Sequence, residues 1–147
     1  MKETYPYFQI AAEKPDTWAD RSMMIYTDTE EGEKSSLEAN VVVSRDTMGA
    51  EESFKTYGKR QLKALTDEIP QFDLLSEREG TIDKKPAIDI MCRWMSPSGR
   101  VRQRLVFLSL GKGEVATFAA TAGDEDFDSK TENFNTILAT LSIQEAG

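Results

Sequence analysis

Two groups of carboxylates stand close enough along the chain for acid/base or calcium chemistry: Glu51 with Glu52, and Asp124, Glu125 and Asp126. Paired carboxylates can divide the roles of general acid and general base, or offer hard oxygen ligands to calcium. Neither group has the companions that such chemistry needs. The 147-residue chain contains no histidine, which removes the commonest general base, the usual catalytic triad and the usual transition-metal ligand together. The sequence has no calcium-loop spacing, Gly-rich phosphate loop or nucleophile motif, and Gly111-Lys112-Gly113 reads as a hairpin turn. Glu51 and Glu52 fall at a helix start, where acidic residues suit the dipole, and the second group falls in a turn. The single cysteine, Cys92, has no partner for an intramolecular disulfide and sits in an apolar run, as a small core residue does. The chain therefore reads as a non-enzyme with no cofactor and no bound metal; a hydrolase built on the acidic clusters ranks behind every other reading.

Charge narrows the partners. With 26 acidic and 18 basic residues the net charge is −8, so nucleic acid and anionic membrane surfaces are repelled. Arg100, Arg102 and Arg104 alternate along one strand and read as a solvated face. The N-terminus lacks the apolar core and cleavage site of a secretory signal, and no apolar run reaches the length of a membrane span. A soluble, cytoplasmic protein is expected.

The elements that must position any site follow from periodicity. Strands are expected at Tyr5 to Ile10, Ser22 to Thr27, Ala39 to Asp46, Phe72 to Glu79, and in the runs PAIDIMCRWM, RVRQRLVFLSL and EVATFAATA. Between Ala50 and Ile69, Phe54, Tyr57, Gln61, Leu62, Leu65 and Ile69 recur at three and four, which marks an amphipathic helix ended by Pro70. Phe127, Phe134, Ile137, Leu138 and Leu141 mark a second. Residues 1–147 thus form one α+β domain: a twisted antiparallel sheet of roughly six or seven strands with two principal helices on one face.

That arrangement leaves a surplus. Met23 and Ile25 oppose Met24 and Tyr26; Ile88, Ile90, Cys92 and Trp94 oppose Met91 and Met95; Leu105 and Phe107 oppose Val106, Leu108 and Leu110. Both faces of the sheet are apolar, and two helices on one face leave the other in need of a cover. A contiguous exposed apolar patch marks a binding surface. Four of the five methionines after Met1 lie in two of these strands; methionine either fills an irregular core or suits a surface that accepts varied apolar partners. Gln61 stands within the apolar stripe of the first helix, where its amide either reaches water at the stripe's edge or, beside a groove, hydrogen-bonds a guest.

The succession Trp18-Ala19-Asp20-Arg21-Ser22, Val43-Ser44-Arg45-Asp46, Tyr57 with Arg60-Gln61-Leu62, Pro70-Gln71-Phe72 with Leu74-Leu75, Lys85-Pro86-Ala87, Trp94, Arg102-Gln103-Arg104 and the closing aromatic helix resembles the Eag-type chaperones of bacterial type VI secretion effectors. These belong to the wider DcrB-like family, whose fold is similar to that of PsbP and Mog proteins. The resemblance spans about residues 5–143. It implies a cytoplasmic homodimeric holding chaperone that keeps the N-terminal transmembrane segments of an effector soluble before loading on the secretion spike, without inserting into the membrane itself. The groove positions it implies are Met23 and Ile25 on a strand, Gln61, Leu65 and Ile69 on the first helix, and Gln103. Met24 and Tyr26 then face the core. Two departures stand out: Leu105 replaces an aromatic two residues after Gln103, and Lys84 replaces the glycine before Lys85-Pro86-Ala87. The alternative within the same family is an envelope-associated domain whose apolar sheet face is only a homodimer interface.

Overall fold

The structure, a computed structural model, describes residues 15–17, 23–28 and 38–141. The strand expected at Tyr5 to Ile10 and the segment Trp18 to Ser22 lie outside the described residues.

Six strands and two helices follow one another as β1 (Met24–Thr27), β2 (Asn40–Thr47), α1 (Phe54–Glu68), β3 (Asp73–Ile82), β4 (Lys85–Ser96), β5 (Gly99–Gly111), β6 (Glu114–Gly123) and α2 (Phe127–Thr140). The strands form one sheet in the order β1-β2-β6-β5-β4-β3, antiparallel at every pairing. Local chemistry explains the boundaries. The Ser53 hydroxyl accepts from the Thr56 amide at 3.1 Å and caps α1, as serine does at a helix start. Proline at position 70 cannot continue the helix. The β5–β6 turn places Gly111, Lys112 and Gly113 at φ of 84°, 55° and 77°, so two of its three left-handed positions carry the residue that takes them without strain.

The sheet's two sides separate cleanly by parity. Ile88, Ile90, Cys92, Leu105, Phe107 and Val115 form one core, packed by Tyr57, Phe54, Leu62 and Leu65 of α1. Val41, Ala87, Val106, Leu108, Ala116, Phe118, Ala120 and Ala122 form the other, packed by Phe127, Phe134 and Leu138 of α2. The expectation of two helices on one face is thereby corrected: each helix takes its own face. The reason is the surplus seen in the sequence, because both faces of β4, β5 and β6 are apolar and neither is stable in water.

One helix per face is still not enough. Six strands at about 4.8 Å spacing make a sheet roughly 24 Å wide, whereas a helix with its side chains is about 10–12 Å across. Each helix therefore leaves close to half of its face open. On the α2 side the opening over β3 and β4 is polar. Arg104 pairs with Asp89 at 2.7 Å, and Arg102 with Asp124 at 2.8 Å. Arg102 and Arg104 are thus part of an ion-pair network with side chains only 23 % and 20 % exposed, rather than a solvated face. On the α1 side the opening lies over β1, β2 and β6.

Candidate functional site

The opening on the α1 side is a groove with the helix as one wall and β1 as the other. Pairing fixes its floor. Ile25 stands opposite Val42, Val42 opposite Ala119, and Ala119 opposite Leu105, so these four side chains form one row across the sheet on the α1 face. Neighbouring rows bring Ser44 beside Thr117 and Phe107, and Asn40 beside Thr121 and Gln103.

β6 and the start of β2 are treated differently on their two faces. Toward α2, Val41, Ala116, Phe118, Ala120 and Ala122 are 0–2 % exposed. Toward α1, Val42, Ser44, Thr117, Ala119 and Thr121 are only half-buried. Beside them Met23 and Ile25 stand 51 % and 55 % exposed. An apolar wall over a floor of small side chains is what remains where no helix among the described residues has been laid.

A hollow of about 400 Å³ occupies the α1 end of this groove, lined by Met23, Ser44, Tyr57, Gln61, Leu65, Leu105, Phe107 and Thr117, with Arg45 and Asp46 at its rim. Of the residues expected from sequence, Met23, Gln61 and Leu65 meet in this hollow. Ile25 shares its face one strand step away. Gln103 lies on the floor, where its side-chain amide donates to the Thr121 hydroxyl at 2.9 Å. Ile69 caps the end of α1, its amide bonded to the Leu65 carbonyl at 3.0 Å, and is half-buried beyond the hollow. Met24 and Tyr26 lie on the opposite face, as expected; Met24 is half-buried, but Tyr26 keeps half its surface exposed.

Sequence reasoning did not name Ser44, Thr117, Ala119 or Thr121. The signal was present in β6, where Thr117, Ala119 and Thr121 alternate with Ala116, Phe118 and Ala120. Small residues on both faces say that something large must cover each. On one face the large groups are Phe127, Phe134 and Leu138; on the other Tyr57 and Leu65 stand over the Thr117 end, and Ala119 and Thr121 stay half-buried.

The Tyr57 hydroxyl donates to Asp46 Oδ2 at 2.8 Å, and burial followed by that carboxylate pushes the phenol well above its usual range. Burial pushes the Cys92 thiol up to about 12, which makes it a poor nucleophile. Asp124 sits between Arg93, at 3.5 Å, and Arg102, so its charge is committed to an ion-pair network. Among the described residues there is no cluster of side chains able to hold a metal ion, and no helix long and apolar enough to cross a membrane.

Comparison with known proteins adds the following. A family model described as DcrB matches residues 12–140. A Pseudomonas aeruginosa protein named Effector EagT6 is 28% identical over 104 residues, which cover 71% of this chain and 71% of that protein. Among solved structures, a Pseudomonas aeruginosa protein of unknown function, PA94, is similar with a TM-score of 0.79 and 23% identity, over 97% of this chain and 96% of that one. Cyanobacterial PsbP from Synechocystis sp. PCC 6803 is similar with a TM-score of 0.57 and 12% identity, over 90% and 98%. At these identities the two structures speak to the fold, and the fold is the PsbP-like one expected from the sequence.

Proposed function

The chain belongs to the DcrB family, and we propose that it is a holding chaperone of a type VI secretion system. In this reading the groove between α1 and β1 keeps an N-terminal transmembrane segment of a secreted effector soluble in the cytoplasm, with no catalytic step. The likeness to a protein named Effector EagT6 supports the secretion role. The observation that carries the reading is the unequal treatment of β6 and of the start of β2, sealed toward α2 and half-open toward α1 beside the exposed Met23 and Ile25.

Dimensions favour a pair of protomers. A membrane-spanning helix of about 20 residues is roughly 30 Å long. The 15 residues of α1 give a wall of roughly 22 Å at 1.5 Å per residue, and the groove encloses one side of a guest only. A homodimer supplies the remaining length and cover. The absence of histidine and the neutralised Asp124 fit a binding protein better than an enzyme.

The test is co-purification of the chain with the N-terminal region of an effector encoded beside it. Met23→Asp with Ile25→Asp is expected to leave folding and oligomeric size unchanged, because both residues are half exposed, and to abolish capture. Undiminished capture by the double variant overturns the proposal. A dimer that is broken by the same substitutions, and that never binds an apolar segment, identifies this face as a subunit interface instead.

A further inference from the structure

The two helices are fastened to the sheet in different ways. Along α2 the buried residues are Phe127, Phe134 and Leu138, spread over three turns, and Arg104 reaches Asn135 at 2.8 Å. In α1 the buried residues are Tyr57 and Gly58 alone. The fully buried contacts of the helix are at this end, while Leu62 and Leu65 pack on the core only half-buried. The Tyr57 ring meets Phe107 edge-on at 5.7 Å, its hydroxyl is tied to Asp46, and Arg60 lies over it at 5.2 Å while holding Glu52 at 2.9 Å. Gly58 brings the backbone so near the sheet that an added Cβ would collide with Ile88 Cδ1. Farther along, Gln61, Leu62 and Leu65 are half-buried. The outer face carries only a solvent-exposed pair, Lys63 with Asp67, of the kind that adds little. The helix then leaves through Ile69 in extended backbone, Pro70, and Gln71 at a φ of 54°.

We propose that α1 is a pivoting wall, anchored at Tyr57 and Gly58, whose C-terminal half swings to fit the girth of whatever lies in the groove. The inference rests on the holding function above and deepens it, because it gives a means by which one groove accepts segments of different sequence. Small motions are enough. Glu68 lies ten residues from Gly58, roughly 15 Å along the axis, so a tilt of about 8° moves it about 2 Å. That is the full range of interaxial distances, about 8–10 Å, over which helix pairs adjust to the side chains between them.

Two doubly spin-labelled proteins test this, with Lys55→Cys or Asp67→Cys each paired with Glu132→Cys on α2. All three positions are exposed, and the buried Cys92, its thiol pushed up to about 12, stays unlabelled. In the free protein the Asp67–Glu132 distance distribution is expected to be about twice as wide as the Lys55–Glu132 distribution; equal widths overturn the pivot. A synthetic 20-residue leucine–alanine helix flanked by lysines is expected to bind, and to narrow or shift the Asp67 pair while leaving the Lys55 pair in place. Binding that moves both pairs equally, or neither, also overturns it. A wide Asp67 pair together with no binding of the peptide upholds the pivot and counts against the holding function. Tyr57→Phe is expected to broaden the Lys55 pair as well, and an unchanged width there removes Tyr57 as the anchor.

Discussion

Arg93 and Arg102 stand directly opposite each other on β4 and β5, and both reach the same carboxylate, Asp124, at 3.5 and 2.8 Å. Two like charges across a strand pair are destabilising unless an opposite charge lies between them. Asp124, with 19 % of its side chain exposed, is that charge.

Replacing Asp124 by Asn should therefore cost about 1–3 kcal/mol, since it strips a partly buried ion pair of one partner and leaves two guanidiniums facing each other. Arg93 keeps Asp73 at 3.1 Å, but its Nε is buried without a partner. The outer partner of Arg102, Asp128, has a side chain 86 % exposed, and Asp128→Asn should change stability by less than about 0.5 kcal/mol. Urea midpoints of the two variants check the contrast. Equal effects would mean that the network is only surface charge.

Tyr57→Phe should cost about 1–2 kcal/mol, the worth of a hydrogen bond to a charged group. Its pH dependence carries a sign. Because the folded phenol is held above its ordinary value of about 10, the protonated form is favoured in the native state. Its contribution is fully present below about pH 10 and is lost as the pH rises through the folded value. The stability gap between the wild type and Tyr57→Phe should thus be constant from pH 7 to 9 and narrow by pH 11. Denaturant unfolding at these pH values measures it, and a gap that widens in alkali would contradict the burial of the hydroxyl.

Lys84→Gly should stabilise the chain by about 0.5–1 kcal/mol. Asp83 and Lys84 form the two-residue turn between β3 and β4, at φ of 50° and 64°, the left-handed geometry that hairpins favour and that Asp-Gly adopts most readily. A lysine there carries a steric cost at its Cβ of about 1–2 kcal/mol, part of which glycine gives back as lost chain entropy. Thermal unfolding should show a midpoint higher by a few degrees. Lys84→Ala, which keeps the Cβ, should show no gain.

Much of the fold was readable in advance because its signals are local. The three-and-four spacing from Phe54 to Leu65 gave a helix, Pro70 its end, and Gly111 to Gly113 a turn. The family resemblance led to Met23, Ile25, Gln61, Leu65, Ile69 and Gln103 as groove positions, of which Met23, Gln61 and Leu65 line one hollow. What stayed hidden was non-local. Arg102 and Arg104 looked like a solvated stripe because alternation shows only that they share a face. That Asp89, Asp124 and Asn135 meet them there depends on strand register and on where α2 lands.

The division has one physical cause. A period of two tells how many apolar faces a strand has, and a period of 3.6 tells that a helix has one to bury, so composition and spacing along the chain required a two-faced sheet with more greasy area than two helices hide. Nothing in either period says which face a helix will choose. Only the packed chain decides that, through the order β1-β2-β6-β5-β4-β3 and the placing of α1 and α2 on opposite sides. The open area on the α1 side then falls beside Met23 and Ile25, because a helix is about half as wide as the sheet it must cover.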